Sequence, residues 1–149
     1  MSVGIHMFEA RLNWNRGSTE MKKTLEVAAI VLTSLFLLVL SIVSLLGLID
    51  PQKASVGYGM PVLDTAGALF YRVFVSRNLV IVASGVVFLL LRQWTPLAVL
   101  VTLTSTLAGF DMTVLSLDRV TPPAFYAVTL IVILVTAALL WRRALAIRT

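Results

Sequence analysis

Read as apolar and polar positions, the chain is four long apolar runs separated by short polar breaks. The runs cover about 25–49, 67–91, 97–117 and 124–141, and each is long enough to cross a hydrocarbon core of about 30 Å as a helix. Asp50-Pro51, Arg92-Gln93-Trp94-Thr95-Pro96 and Asp118-Arg119 with Pro122-Pro123 supply the breaks. The runs are continuous and do not alternate with period two, which excludes a transmembrane β-barrel. The pattern predicts an all-α integral membrane protein, an antiparallel four-helix bundle.

Three further segments complete the organisation. Residues 1–23 are polar and read as an N-terminal extension, mobile or lying as a short helix on the membrane surface. Met21 before Lys22 and Lys23 reads as a second start, so the first twenty residues are expected to be an upstream addition. The transmembrane domain occupies 24–143, and 144–149 form a tail. Between the first two runs, Gly57-Tyr58-Gly59-Met60-Pro61 predicts a structured turn, read first as an interfacial turn with Tyr58 in the aromatic belt and second as a lid with Tyr58 turned over a polar pocket.

Composition strengthens the membrane reading: of 149 residues, 59% are hydrophobic and 13% charged, and the mean hydropathy is +0.98. A soluble domain this small buries only about two-thirds of its unfolded surface, too little to hide so much apolar area. The net charge of +5 lies at the ends of the runs, which points to lipid headgroups and orientation and away from nucleic acid. Arg11, Arg16, Lys22, Lys23, Arg92, Arg142, Arg143 and Arg148 fall on one side, with Lys53 and Arg119 on the other. The positive-inside rule therefore predicts a multi-pass protein of the cell membrane with both termini cytoplasmic. There is no cysteine and one histidine, His6. Disulfides, thiolate sites and a multi-histidine metal centre are not expected, nor is any cofactor.

The candidate chemistry lies in the second and third runs. The second carries Arg72, Arg77 and Asn78, and the third carries Asp111. An arginine at a helix centre costs about 2.5–3.5 kcal/mol to insert, so two cost about 5–7. The fifteen Leu, Ile, Val and Phe residues of this run return about 5–9 kcal/mol. The helix inserts marginally alone and needs partners. Asp111 lies about 9 Å and Arg77 about 15 Å from the same end of the bundle at 1.5 Å per residue. They are expected to form an intramembrane ion pair, with Asn78 and Thr104 satisfying its remaining donors and acceptors, a network that either only pins the two helices in register or forms a polar pocket opening toward the outer side. Arg72 is expected to pair with Asp64 or Asp118. Ser105 and Gly109 suggest a face for close helix packing, and Trp94 and Trp141 suggest interfacial anchors.

These features resemble the small, largely uncharacterised four-span proteins of the DoxX-like group, over about Thr24 to Arg143. The matching positions are Arg77-Asn78, the Ser84-Gly85 small pair and Asp111. Asn78 stands where relatives often carry a carboxylate, which argues against proton transfer there. The resemblance implies a fold more than an activity; some members of the group resemble quinone-linked or maturation subunits. Two functions follow from the residues. One is binding of a lipophilic small molecule, or an accessory role, in which Arg72, Arg77 and Asn78 engage an anionic or carbonyl group and Asp111 holds Arg77. The other is a membrane-embedded isomerase, cyclase or hydratase using Asp111 or Asp64 as general acid or base, assisted by Tyr58 or Tyr71. The expected partners are the lipid bilayer and a lipophilic ligand, with room for a homo-oligomer or another membrane protein. A transporter would need an oligomer, because one chain offers few charges to line a path.

Overall fold

A computed structural model describes the backbone of residues 3–57, 59, 61–117 and 124–146, and their side chains except at 3–19, 21, 22 and 125. Among the described residues there are five helices: α1 (Val3–Ile49), α2 (Pro51–Gly57), α3 (Thr65–Leu90), α4 (Trp94–Leu117) and α5 (Ala124–Ala146). Four segments are long and apolar enough to cross a membrane: Lys23–Ile49, Thr65–Leu90, Trp94–Leu117 and Tyr126–Ala146. The molecule is a multi-pass membrane helical bundle. α1 is one unbroken helix from Val3. The expected separation of a polar surface helix from the first span is absent, because no proline interrupts 3–49. α5 also outlasts its apolar run, carrying Arg142 and Arg143 in its last turns.

The spans pair as two antiparallel hairpins. α1 packs extensively on α3 and α4 on α5, α1 also touches α5, and α3 meets α4 more sparingly. In lipid no hydrophobic force drives helices together, so close packing must come from shape. Two glycines let α1 and α3 approach. A Cβ on Gly47 would lie 2.9 Å from Val75 Cγ1 and 3.0 Å from Tyr71 Cε1, and one on Gly85 would lie 2.6 Å from Leu37 Cδ2. The Ser105–Gly109 face is different. Ser105 is buried, but a Cβ on Gly109 would meet nothing within 4 Å, so that glycine permits no contact.

Polar side chains within the helices are mostly satisfied locally. Thr33 donates to the Ala29 carbonyl, Thr104 to that of Leu100 and Thr136 to that of Val132, each one turn back. This back-bonding lets a hydroxyl sit in oil at little cost.

The bundle is solid at one end and hollow at the other. Ala29 and Leu37 of α1, Leu97 and Val101 of α4, and Ile133 and Leu140 of α5 belong to one buried cluster. That cluster occupies the half nearest both ends of the four-span domain, here called the near end. There Arg143 Nη2 donates to Glu26 Oε1 at 2.6 Å, and the guanidinium lies 5.5 Å from the Trp94 ring centroid. Trp94 is only 8% exposed. It is a buried platform for Arg143, not the expected interfacial anchor. Trp141 does sit at the surface, and its indole N–H donates to Thr102 Oγ1 at 3.0 Å.

The α3–α4 turn, also at the near end, is tight. Arg92 adopts φ 53°, the left-handed conformation that helix ends usually give to glycine. Gln93 N–H then reaches back to the Phe88 carbonyl at 2.8 Å. From this turn α3 and α4 diverge toward the far end.

Candidate functional site

The divergence of α3 and α4 leaves two adjoining cavities in the far half of the bundle. The inner one, about 170 Å³, is walled by every span: Phe36 and Leu40 from α1, Phe74 and Asn78 from α3, Thr104 and Ala108 from α4, Thr129 and Ile133 from α5. The outer one, about 610 Å³, lies between Gly67, Phe70 and Tyr71 of α3 and Val114 and Leu115 of α4, under the segment Pro61–Asp64. Phe74, Asp111 and Tyr126 line both. They form the wall that the two spaces share, and Asp111 remains accessible there.

The rotation of α3 decides which polar residues enter. Tyr71, Val75 and Gly85 are its buried positions, and Phe74, Asn78 and Ile81 face the inner cavity. Successive residues of a helix are about 100° apart, so with Asn78 turned inward Arg77 is carried to the flank. Arg77 and Arg72 are both exposed, and neither lines a cavity. The expected Arg77–Asp111 ion pair is therefore not formed. Among the described residues the ion pairs are Lys53–Asp50 and Arg143–Glu26. The bundle takes in the neutral amide and leaves the guanidinium on its lipid-facing flank, where the long side chain reaches the headgroups only by snorkelling along the helix. Arg72 forms no ion pair with Asp64 either; Asp118, its other expected partner, lies outside the described residues.

Asp64 has a local task. Its Oδ1 accepts from Gly67 N–H at 2.7 Å, capping the first turn of α3. It also stands at the rim of the outer cavity. The segment before it is pinned rather than free. Asp50 accepts from Lys53 N–H at 3.1 Å at the start of α2, and that backbone N–H, more than the Lys53 ammonium, holds the Asp50 carboxyl below the usual range. Ser55, fully buried, donates to the Gln52 carbonyl and accepts from Val62 N–H at 3.0 Å. These bonds hold the roof of the outer cavity. Tyr58, the candidate belt or lid residue, lies outside the described residues.

Of the residues singled out in the sequence, Asn78, Thr104 and Asp111 come together at the inner cavity, Asp64 and Tyr71 share the outer cavity with Asp111, and Arg72 and Arg77 line neither. The Asp111 carboxyl has no hydrogen bond or ion pair among the described residues, whereas Thr104 spends its proton on the Leu100 carbonyl. Sequence reasoning missed Tyr126, Phe74 and Thr129 as wall residues, because single aromatics and threonines in an apolar run carry no signal of their own. It also missed Glu26–Arg143, although span parity puts the start of the first helix beside the end of the fourth. Among the described residues no group of three or more His, Asp or Glu side chains could hold a metal ion. No family model, curated protein or solved structure matches this chain.

Proposed function

We propose that the protein binds a lipophilic small molecule in the cleft between α3 and α4, with Asp111 as its polar anchor. The observation that carries this reading is the position of Asp111 at the junction of two cavities, with apolar and aromatic side chains around it. Concave, mostly apolar spaces with a few convergent polar groups are the usual form of small-molecule sites, and ionisable residues inside membrane spans are functional candidates by default. The distribution of Lys and Arg supports a cell-membrane protein with both termini cytoplasmic, so the far end and its cleft face the outer leaflet. The placement of Asn78 and Asp111 in one cavity is compatible with the DoxX-like resemblance, and an accessory role within a larger membrane assembly fits the same site.

The test is mass spectrometry of lipids and metabolites that co-purify with the wild-type protein and with Ala108→Phe, which fills the inner cavity. Enrichment of a lipophilic species in the wild type and its loss in the variant, with both proteins folded, is expected. Identical extracts from the two proteins would remove the support. A second reading, a membrane-embedded isomerase, cyclase or hydratase, draws on the presence of Asp64 and Tyr71 in the outer cavity with Asp111. It expects Asp111→Asn to keep ligand and lose turnover.

A further inference from the structure

The charge on the cavity walls has a definite sign. Among the described residues, Asp111 where the two spaces meet and Asp64 at the rim are the carboxyl groups that line them, and no lysine or arginine does. One oxygen of Asp64 is already taken by Gly67 N–H. Both oxygens of Asp111 are without a hydrogen-bond or ion-pair partner among the described residues. A carboxylate that faces an apolar space is stabilised by a cation beside it, because the attraction grows as the dielectric falls.

The rings beside Asp111 point the same way. Phe74 and Tyr126 line both cavities with it, and Phe70 and Tyr71 extend the aromatic wall outward. Tyr71 and Phe74 lie with centroids 6.1 Å apart and planes tilted by 42°. Aromatic faces attract organic cations through their quadrupoles, more strongly where water is excluded. An acid flanked by rings, over a space of about 610 Å³, therefore suits a charged nitrogen on a hydrophobic body. It opposes an anion, which would meet Asp111 and Asp64 with no guanidinium among the described wall residues to offset them.

We propose that the cleft selects lipophilic amines, the protonated nitrogen on Asp111 and the hydrophobic body in the outer cavity. This deepens the binding role proposed above and rests on it. It also reverses the ligand sign expected from Arg72 and Arg77, since those residues stand outside the cleft.

The experiment uses the full chain in nanodiscs and three fluorescent probes with one body and different heads. These are 9-(aminomethyl)anthracene, 9-anthracenemethanol and 9-anthracenecarboxylate, each titrated against protein and against empty nanodiscs. The amine is expected to bind about tenfold or more tighter than the carboxylate, the ratio that one charge-assisted contact of about 1.4 kcal/mol supplies. Asp111→Asn, checked for an unchanged melting profile, is expected to bring the three affinities within about threefold of one another by removing that contact. Arg77→Ala is expected to keep the wild-type order. Should Asp111→Asn not fold, Ala108→Phe and Asn78→Leu serve as second variants, expected to weaken the amine while the unaltered Asp111 keeps its order over the carboxylate. Carboxylate binding as tight as amine binding, or an amine preference that survives Asp111→Asn, overturns the choice of ligand but leaves a binding cleft. Absence of binding by all three above the empty-nanodisc level overturns the cleft as a site for such molecules altogether.

Discussion

Replacing Arg77 by leucine separates two arrangements of α3 by the sign of the effect. Arg77 is the thirteenth of the 26 residues of α3, at the middle of the span, and it is exposed on the flank of the helix. An arginine at a helix centre opposes insertion by about 2.5–3.5 kcal/mol, and a leucine there favours it by about 0.3–0.6. Arg77→Leu should thus make α3 insert more favourably by up to about 3–4 kcal/mol, less where the guanidinium already snorkels to the headgroups. Had Arg77 been the buried partner of Asp111, its removal would strand a carboxylate in oil and destabilise the protein by about 3–5 kcal/mol. The assay has two parts: insertion of the α3 segment in a glycosylation-mapped reporter, and denaturation of the whole protein in nanodiscs. Arg77→Leu should raise insertion and leave or raise whole-protein stability. A double-mutant cycle with Asp111→Asn should give a coupling within about 0.5 kcal/mol of zero. A large loss of stability in Arg77→Leu, restored by Asp111→Asn, would refute the rotation of α3 described above.

Three other outcomes are expected. Glu26→Gln should lower stability by about 1–2 kcal/mol, between the values for exposed and buried ion pairs, because both side chains are roughly 30% exposed. A melting comparison, with Arg143→Ala in a cycle, checks it, and additive losses would show that the pair does not act as a unit. Gly85→Ala should destabilise the α1–α3 contact, since its Cβ would press on Leu37 at an overpacking cost of about 1–3 kcal/mol, offset by about 0.5–1 of helix propensity. Gly109→Ala, which meets open space, should be neutral or stabilising by the same propensity, and both are read from denaturation midpoints. Finally, the Asp50 carboxyl titrates below its ordinary value because Lys53 N–H bonds to its charged form. Its capping contribution is therefore complete above the ordinary carboxylate range and is lost as pH falls through the lowered value. The protection of the Lys53 amide, taken against its intrinsic exchange rate at each pH, should fall over that acidic interval, and a pH-independent protection factor would count against the cap.

Glu26 and Arg143 show why parity is more informative than local pattern. Each looks like an ordinary flanking charge in its own run, yet the antiparallel order of four spans brings both to one end. Trp94 shows the opposite failure. A tryptophan at a run boundary reads as an anchor, and only the seating of α5 against α4 puts Arg143 over its ring. Gly109 and Gly85 make the same point for small residues, since spacing alone cannot distinguish a glycine against a neighbour from one beside empty space.

Hydropathy by itself determined the all-α membrane class, the number of crossings and their approximate limits. These follow from one local rule, that a chain in oil must satisfy its own backbone hydrogen bonds. The residues able to share a polar site, Asn78, Thr104 and Asp111, were also readable, because charges and amides are rare inside spans. The rotation of α3 was not. A turn of 100° exchanges Asn78 for Arg77 at the bundle centre, and that angle is set by the sum of contacts along the α1–α3 seam, Gly47 on Val75 and Gly85 on Leu37 among them. Likewise, only the packing of four helices could leave the far half open. A cavity is the difference between the spacing that backbones adopt and the volume that side chains fill, and no single residue records it.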